Sequence, residues 1–117
     1  MDRLLRATIN TWHGLLAAAR SEEAFRQELL ALLIAVPAAF VVGESAWKRL
    51  ALIGVVMFVL VIELVNTAIE NLADRVTQAR DPQVGRVKDM GSAAVGLALL
   101  IAGFTWLLAL AERLGLL

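Results

Sequence analysis

The sequence predicts an all-α integral membrane protein with an N-terminal amphipathic surface helix and three transmembrane helices. The chain has 117 residues, of which 60% are hydrophobic, and its mean hydropathy is +0.75. So much apolar surface cannot be buried in the core of one small soluble domain. No internal repeat or change in composition divides the chain, so a single membrane domain over residues 1–117 is expected.

Three apolar stretches, at 29–42, 50–62 and 93–111, predict the membrane spans. A spanning helix needs about 20 residues, so we expect the first helix to continue to Trp47. We expect the second helix to project from the membrane as far as Asp74. The predicted spans are 28–47, 50–74 and 90–112.

The segments between the spans show where helices start and stop. Residues 3–20 place apolar side chains at helical spacing around Trp12, which predicts a helix lying in the membrane interface. Ser21 is expected to cap the helix that follows. A loop is predicted over 77–85, because the residue before Pro82 disfavours helical backbone.

Composition also indicates topology and excludes several classes of protein. Eight Lys and Arg residues lie in the N-terminal segment and the second connection, against three on the other side. The positive-inside rule therefore places the N-terminus and the second connection in the cytoplasm, and the C-terminus outside. No cysteine is present for redox chemistry, and a net charge of zero leaves no basic surface for nucleic acid.

The most informative feature is a polar stripe that follows the second apolar stretch. Glu63, Asn66, Glu70 and Asp74 are spaced i, i+3, i+7 and i+11. At about 100° per residue they share one helical face. Glu63 would lie at the edge of the hydrocarbon, where an unpaired carboxylate costs several kcal/mol. The stripe therefore predicts a functional site at the cytoplasmic surface of the membrane.

Acids beside a membrane, with Lys88 nearby, suggest phosphoryl transfer to a lipid. This reaction needs oxygen ligands for Mg²⁺, cations for the phosphates, and a base beside the acceptor hydroxyl. The sequence has no P-loop, no GxGxxG motif and no protein-kinase HRD or DFG motif. If the protein is a kinase, we therefore expect it to resemble neither the P-loop enzymes nor the protein kinases.

Three segments carry a resemblance to a known family: Glu22-Glu-Ala-Phe25-Arg-Gln-Glu28, Glu63-Leu-Val-Asn66-Thr-Ala-Ile-Glu70-Asn-Leu-Ala-Asp74, and Lys88-Asp89-Met-Gly-Ser92. With these motifs the chain resembles the small bacterial integral-membrane diacylglycerol kinases over nearly its whole length. The resemblance implies a homotrimer with composite active sites. It also implies ATP-dependent conversion of diacylglycerol to phosphatidic acid with Mg²⁺, in lipid recycling and phospholipid metabolism.

The resemblance also implies roles for individual residues. Glu63 corresponds to the catalytic base, and Glu22 and Glu70 to ligands of the nucleotide-bound metal. The implied ATP contacts are Arg3, Glu22, Glu70, Lys88 and Asp89. The implied lipid contacts are Arg3, Trp12, Phe25, Glu63 and Ser92. Asn66 and Asp74 correspond to polar positions that shape the site.

Two other functions fit parts of the sequence. Undecaprenol kinases share the Glu-x-x-Asn-Thr-Ala-x-Glu core and use the same chemistry, although the segment from Ala24 to Glu28 is more similar to the diacylglycerol branch. A small ion-coupled membrane transport protein would also place acids within a helical bundle. Its acids would lie near the bilayer midplane or in paired repeats, whereas here they cluster at one edge.

Overall fold

The computed structural model describes residues 2–117 and consists of four helices. They are α1 (Asp2–Ser21), α2 (Glu23–Val42), α3 (Ala46–Val76) and α4 (Pro82–Arg113). No strand occurs in residues 2–117. The chain measures 53 × 41 × 22 Å. By length and composition α2, α3 and α4 could each cross a membrane.

The break between α1 and α2 lies at Glu22, whose backbone is extended (φ −115°, ψ 112°). Ser21 does not cap α2 as expected, because it is the last residue of α1 and its hydroxyl donates to Ala17 O at 2.8 Å. Arg26 instead donates from Nη1 to the carbonyls of Ala19 (2.9 Å) and Arg20 (3.1 Å). A side chain of α2 thus satisfies the C-terminal carbonyls of α1.

The turn between α2 and α3 is shorter than expected. Gly43 ends α2 with its N–H bonded to Ala39 O at 2.8 Å, and Ser45 caps α3 by accepting from Lys48 N at 3.2 Å. A Cβ at position 43 would lie 2.8 Å from Ala39 O and 2.8 Å from the Arg49 side chain, so this tight turn requires glycine. The predicted extension of the first span to Trp47 is therefore wrong. The helix gains its length at the other end, at Glu23.

The connection from α3 to α4 is also shorter than the predicted loop over 77–85. The Asp81 carboxylate accepts from the backbone N–H groups of Gln83 (2.8 Å) and Val84 (3.3 Å), and Pro82 is the first residue of α4. Proline is favoured at this first position, because its missing N–H would have had no partner there. The Asp-Pro pair thus begins a helix rather than continuing a loop.

Side chains from three helices form the core beside the polar stripe. Phe25 of α2 is 2% exposed and packs with Ala18 of α1 and Leu60 of α3. On the other side of α3, the Trp106 indole of α4 donates to Leu52 O at 3.1 Å. Helix α3 therefore packs between α2 and α4.

The opposite end of the bundle is joined by polar contacts between helix ends. Lys48 and Glu112 form a salt bridge of 3.2 Å, and Arg113 Nε donates to Val41 O at 3.2 Å. These contacts connect α3 with α4 and α4 with α2, far along the chain from Glu63. These contacts hold together the helix ends that lie far from the stripe.

Replacing Phe25 by Ala is expected to lower the free energy of unfolding by about 3 kcal/mol, because the change leaves a cavity where three helices meet. Denaturant titration of the purified protein in micelles measures the change. Phe104→Ala is the matched control, since Phe104 is 67% exposed on α4. Equal losses for the two variants would contradict the core assignment.

Candidate functional site

The stripe on α3 passes from buried to exposed along the helix. Glu63 is 9% exposed and Asn66 is 7% exposed; both are surrounded by neighbouring helices. Glu70 is half-buried and Asp74 is exposed. Glu63, at the start of the stripe, is therefore enclosed by protein. Asp74, at the other end of the stripe, is open to the surroundings.

Glu22, in the break before α2, and Glu28 of α2 lie near the stripe. Glu22 and Glu70 lie close enough to Glu63 for like charges to repel, and Glu63 lies as close to Glu28. None of these four carboxylates forms a salt bridge with a Lys or Arg in residues 2–117. Like charges brought together in a partly buried place repel each other. This cluster of carboxylates therefore favours a bound cation or proton.

Sequence reasoning assigned no role in the site to Glu28. Its Oε2 atom is buried and has no hydrogen-bond partner among the described residues. One signal was available: Glu28 directly precedes the apolar stretch 29–42, as Glu63 directly follows the stretch 50–62. Two acids at the ends of apolar stretches in successive helices of opposite direction are expected to lie at the same membrane edge.

Asn66 connects the stripe internally. Its Nδ2 donates to Glu70 Oε1 at 3.1 Å, one turn further along α3. Its Oδ1 is buried without a hydrogen-bond partner among residues 2–117. The amide thus holds one oxygen of the Glu70 carboxylate, and the other oxygen is left for a ligand.

Helix α4 carries two of the five predicted nucleotide contacts, Lys88 and Asp89. Lys88 Nζ donates to Asp74 Oδ1 at 2.6 Å, so the structure brings these two predicted residues together. Asp89 and Ser92 are exposed on the same helix. The pair of Lys88 and Asp74 provides a cation and an anion at the open end of the stripe.

Helix α1 meets α3 across a cleft and leaves its own predicted contact residues exposed. Arg3 and Trp12 are exposed and make no hydrogen bond or salt bridge to another helix in the described chain. A cleft of about 380 Å³ separates α1 from α3. Its polar lining residues are Thr11, Ser21, Thr67 and Asn71; its other lining residues are small or apolar. On α3 the cleft is lined by Leu64, Thr67, Ala68 and Asn71, which form a different helical face from the stripe.

The structure does not support the predicted lipid contact of Phe25. The ring is packed in the cluster with Ala18 and Leu60 and is 2% exposed. A side chain so enclosed by three helices has no surface left for a substrate. We therefore assign Phe25 to the core.

Comparisons with known proteins decide the family. A sequence model of the family described as prokaryotic diacylglycerol kinase matches residues 9–110. Diacylglycerol kinase of Escherichia coli strain K12 is 42% identical over 113 residues, which are 97% of this chain and 93% of that protein. The chain belongs to the prokaryotic diacylglycerol kinase family.

Other relatives agree with this membership. Diacylglycerol kinase of Pseudomonas aeruginosa is 42% identical over 106 residues, which cover 91% of this chain and 86% of the relative. That of Haemophilus influenzae is 37% identical over 106 residues, covering 91% and 90%. The resemblance found in the sequence is confirmed, and so is the predicted class of enzyme, a lipid kinase.

The matched segment 9–110 includes every predicted site residue except Arg3. The family assignment does not by itself test the role of any single residue. Those roles stay predictions, and they are taken up in the proposed function.

For this member of the diacylglycerol kinase family, replacing Lys88 by Met is expected to change the free energy of unfolding by less than about 1 kcal/mol. The side chains of Lys88 and Asp74 are 40% and 51% exposed, and ion pairs so exposed contribute little to stability. Denaturant titration in micelles measures the effect. A loss of several kcal/mol would mean that the pair is structural rather than available to a nucleotide.

Proposed function

We propose that the protein transfers the γ-phosphoryl group of ATP to the free hydroxyl of diacylglycerol, producing phosphatidic acid and ADP. The reaction would occur at the cytoplasmic face of a bacterial inner membrane and serve lipid recycling and phospholipid metabolism. One observation carries the proposal: Glu63 is buried where an apolar helix becomes polar, within a cluster of unpaired carboxylates. The relatives named diacylglycerol kinase support the choice of lipid.

The position of Glu63 suits a lipid hydroxyl. The helix before it is apolar over 50–62, and the polar stripe begins at Glu63 itself. The free hydroxyl of diacylglycerol lies at the same boundary when its acyl chains are in hydrocarbon. Trp12 and Ser92 are exposed and are proposed as further contacts for the lipid head.

Glu63 would act as the general base. Its carboxylate accepts the proton of the lipid hydroxyl while that oxygen forms a bond to the γ-phosphorus. The bond from the γ-phosphorus to the bridging oxygen breaks at the same centre, and ADP leaves with the electron pair. A base must lie within hydrogen-bond reach of the proton that it accepts, and catalysis otherwise depends on positioning.

Glu22 and Glu70 are the proposed ligands of Mg²⁺. No group of three or more Asp, Glu or His side chains within residues 2–117 is arranged to hold a metal alone. Mg²⁺ is commonly bound by one or two carboxylates together with substrate phosphates, so two acids suffice. The unpaired carboxylates around Glu63 and the free oxygen of Glu70 fit this hard cation. When bound, Mg²⁺ would neutralise phosphate charge.

The nucleotide would lie towards the open end of the stripe. Lys88 is the proposed partner of its phosphates, and Asp74 holds the lysine ready through their 2.6 Å contact. Asp89 and Arg3 are proposed as additional nucleotide contacts, and Arg3 also as a contact for the lipid. When a nucleotide binds, Lys88 would exchange its bond to Asp74 for a bond to a phosphate oxygen. The lysine would then have a negatively charged partner both before and after binding.

A homotrimer would complete the site. In one chain, Arg3 and Trp12 are exposed and form no hydrogen bond or salt bridge with the stripe, and many large apolar residues of the three long helices are exposed. Association of three copies would cover part of this apolar surface and allow α1 of one copy to reach the stripe of another. Sharing of sites between subunits is therefore part of the proposal.

Replacing Glu63 by Gln is expected to lower the rate of phosphoryl transfer by at least about 100-fold, because the amide cannot accept the proton and general-base catalysis typically contributes this much. The folded assembly should remain, since Gln has almost the same shape. Steady-state kinetics and size-exclusion chromatography check the two expectations.

Glu112→Gln is the matched control for this change. Glu112 is an exposed acid at the other end of α4, where it pairs with Lys48. Its amide variant should retain wild-type turnover. An active Glu63→Gln enzyme would eliminate Glu63 as the base.

Purified protein in mixed micelles is expected to transfer radiolabelled phosphate from ATP to dioleoylglycerol, and EDTA should abolish the transfer. Undecaprenol is offered in parallel at the same mole fraction. Preference for undecaprenol would keep the chemistry and change the substrate. No transfer to either lipid by a folded protein would overturn the proposed function.

A further inference from the structure

The side chain of Asn66 is held between two neighbours that differ in chemistry. On one side lies the Glu70 carboxylate, which accepts a hydrogen bond of 3.1 Å. On the other side lies Gly91 of α4, whose Cα faces the buried Oδ1 atom. Asn66 is 7% exposed, so little free space surrounds it.

The orientation of the amide follows from the carboxylate. An ionised carboxylate only accepts hydrogen bonds, so the atom that faces Glu70 must be the NH₂ group. Oδ1 must then point the other way, towards α4. The hydrogen bond to Glu70 therefore requires room for Oδ1 at position 91.

Glycine is the residue that provides this room. A Cβ built on Gly91 would overlap Asn66 Oδ1 and would lie 3.2 Å from Asn66 Cγ. Any larger residue would turn the amide away or separate α4 from α3. Either movement breaks the bond from Asn66 Nδ2 to Glu70.

We propose that Gly91 is a positioning residue for the kinase: by admitting the Asn66 amide between α3 and α4, it holds Glu70 in place for the metal of the nucleotide. The inference rests on the proposed function, in which Glu70 is a metal ligand. Gly91 contacts neither substrate nor metal. Its effect passes through Asn66, whose hydrogen bond sets the orientation of one Glu70 oxygen and leaves the other oxygen to bind.

The test measures metal binding directly. Wild type and Gly91→Ala are titrated with Mn²⁺ in micelles with adenylyl imidodiphosphate, and free Mn²⁺ is followed by electron paramagnetic resonance. Loss of a group that orients a metal ligand typically weakens metal binding by about 10-fold or more. Gly91→Ala is expected to show such a loss, with a matching rise in the Mg²⁺ concentration that half-saturates activity. Unchanged Mn²⁺ binding would overturn the proposal.

Gly96→Ala is the matched control. Gly96 lies further along α4, and a Cβ there would meet nothing within 4 Å. The same substitution at this position should leave Mn²⁺ binding and activity at wild-type levels. An equal loss in Gly96→Ala would show that the effect belongs to α4 as a whole and would overturn a specific role for Gly91.

A double variant separates positioning from general packing. Asn66→Ala removes the hydrogen bond to Glu70. It also removes Oδ1, the atom that a Cβ at position 91 would overlap. Adding Gly91→Ala to Asn66→Ala should therefore weaken Mn²⁺ binding no further. Additive losses would overturn the proposal.

This comparison also serves if Gly91→Ala alone does not fold. The double variant is expected to fold, because truncation of Asn66 makes space for the new Cβ. Failure of the double variant to fold, where Asn66→Ala folds, would overturn the proposal. Wild-type protein that binds Mn²⁺ and nucleotide but transfers no phosphate would reject the proposed function, while the binding comparison would still decide the role of Gly91.

Discussion

The structure depends on the burial of Glu63 and Asn66 within a bundle of otherwise apolar helices. A carboxylate and an amide removed from water cost several kcal/mol unless their polar atoms find partners. Packing of α3 between α2 and α4 turns both groups towards protein rather than acyl chains, and Asn66 Nδ2 finds a partner in Glu70. The constraint is met only in part, because Asn66 Oδ1 has no hydrogen-bond partner within residues 2–117. The acidic cluster and the amide bridge to Glu70 are consequences of that packing.

Short connections set which residues meet across the bundle. Gly43 and Ser45 close the turn between α2 and α3, and Asp81 caps α4 five residues after α3 ends. With so little chain between them, α3 and α4 run in opposite directions side by side. Lys88 therefore lies opposite Asp74, and Gly91 lies opposite Asn66. A longer loop would not fix this pairing.

The residues of the stripe differ in their accessibility to water along α3. The buried end of the stripe carries Glu63, where exclusion of water strengthens each charge interaction. The exposed end carries Asp74 and Lys88, where a soluble nucleotide can arrive and leave. Asn66 and Glu70 lie between them, at the place where the proposed metal would join lipid acceptor and phosphate donor. A gradient from apolar to polar within one helix thus suits a reaction between a lipid and a water-soluble donor.

The sequence alone determined the class of fold, the family and the stripe on α3, because hydropathy, helical spacing and local motifs are properties of adjacent residues. The predicted end of the first span at Trp47 and the predicted loop beyond Pro82 were wrong. Hydrogen bonds of turns and caps decide where these helices end and begin. Only the tertiary structure showed that Glu28 is partly buried near Glu63, that Phe25 belongs to the core, and that Gly91 faces Asn66. Each of these pairs joins residues on different helices. The rotation and register of one helix against another depend on how their complete side-chain surfaces pack.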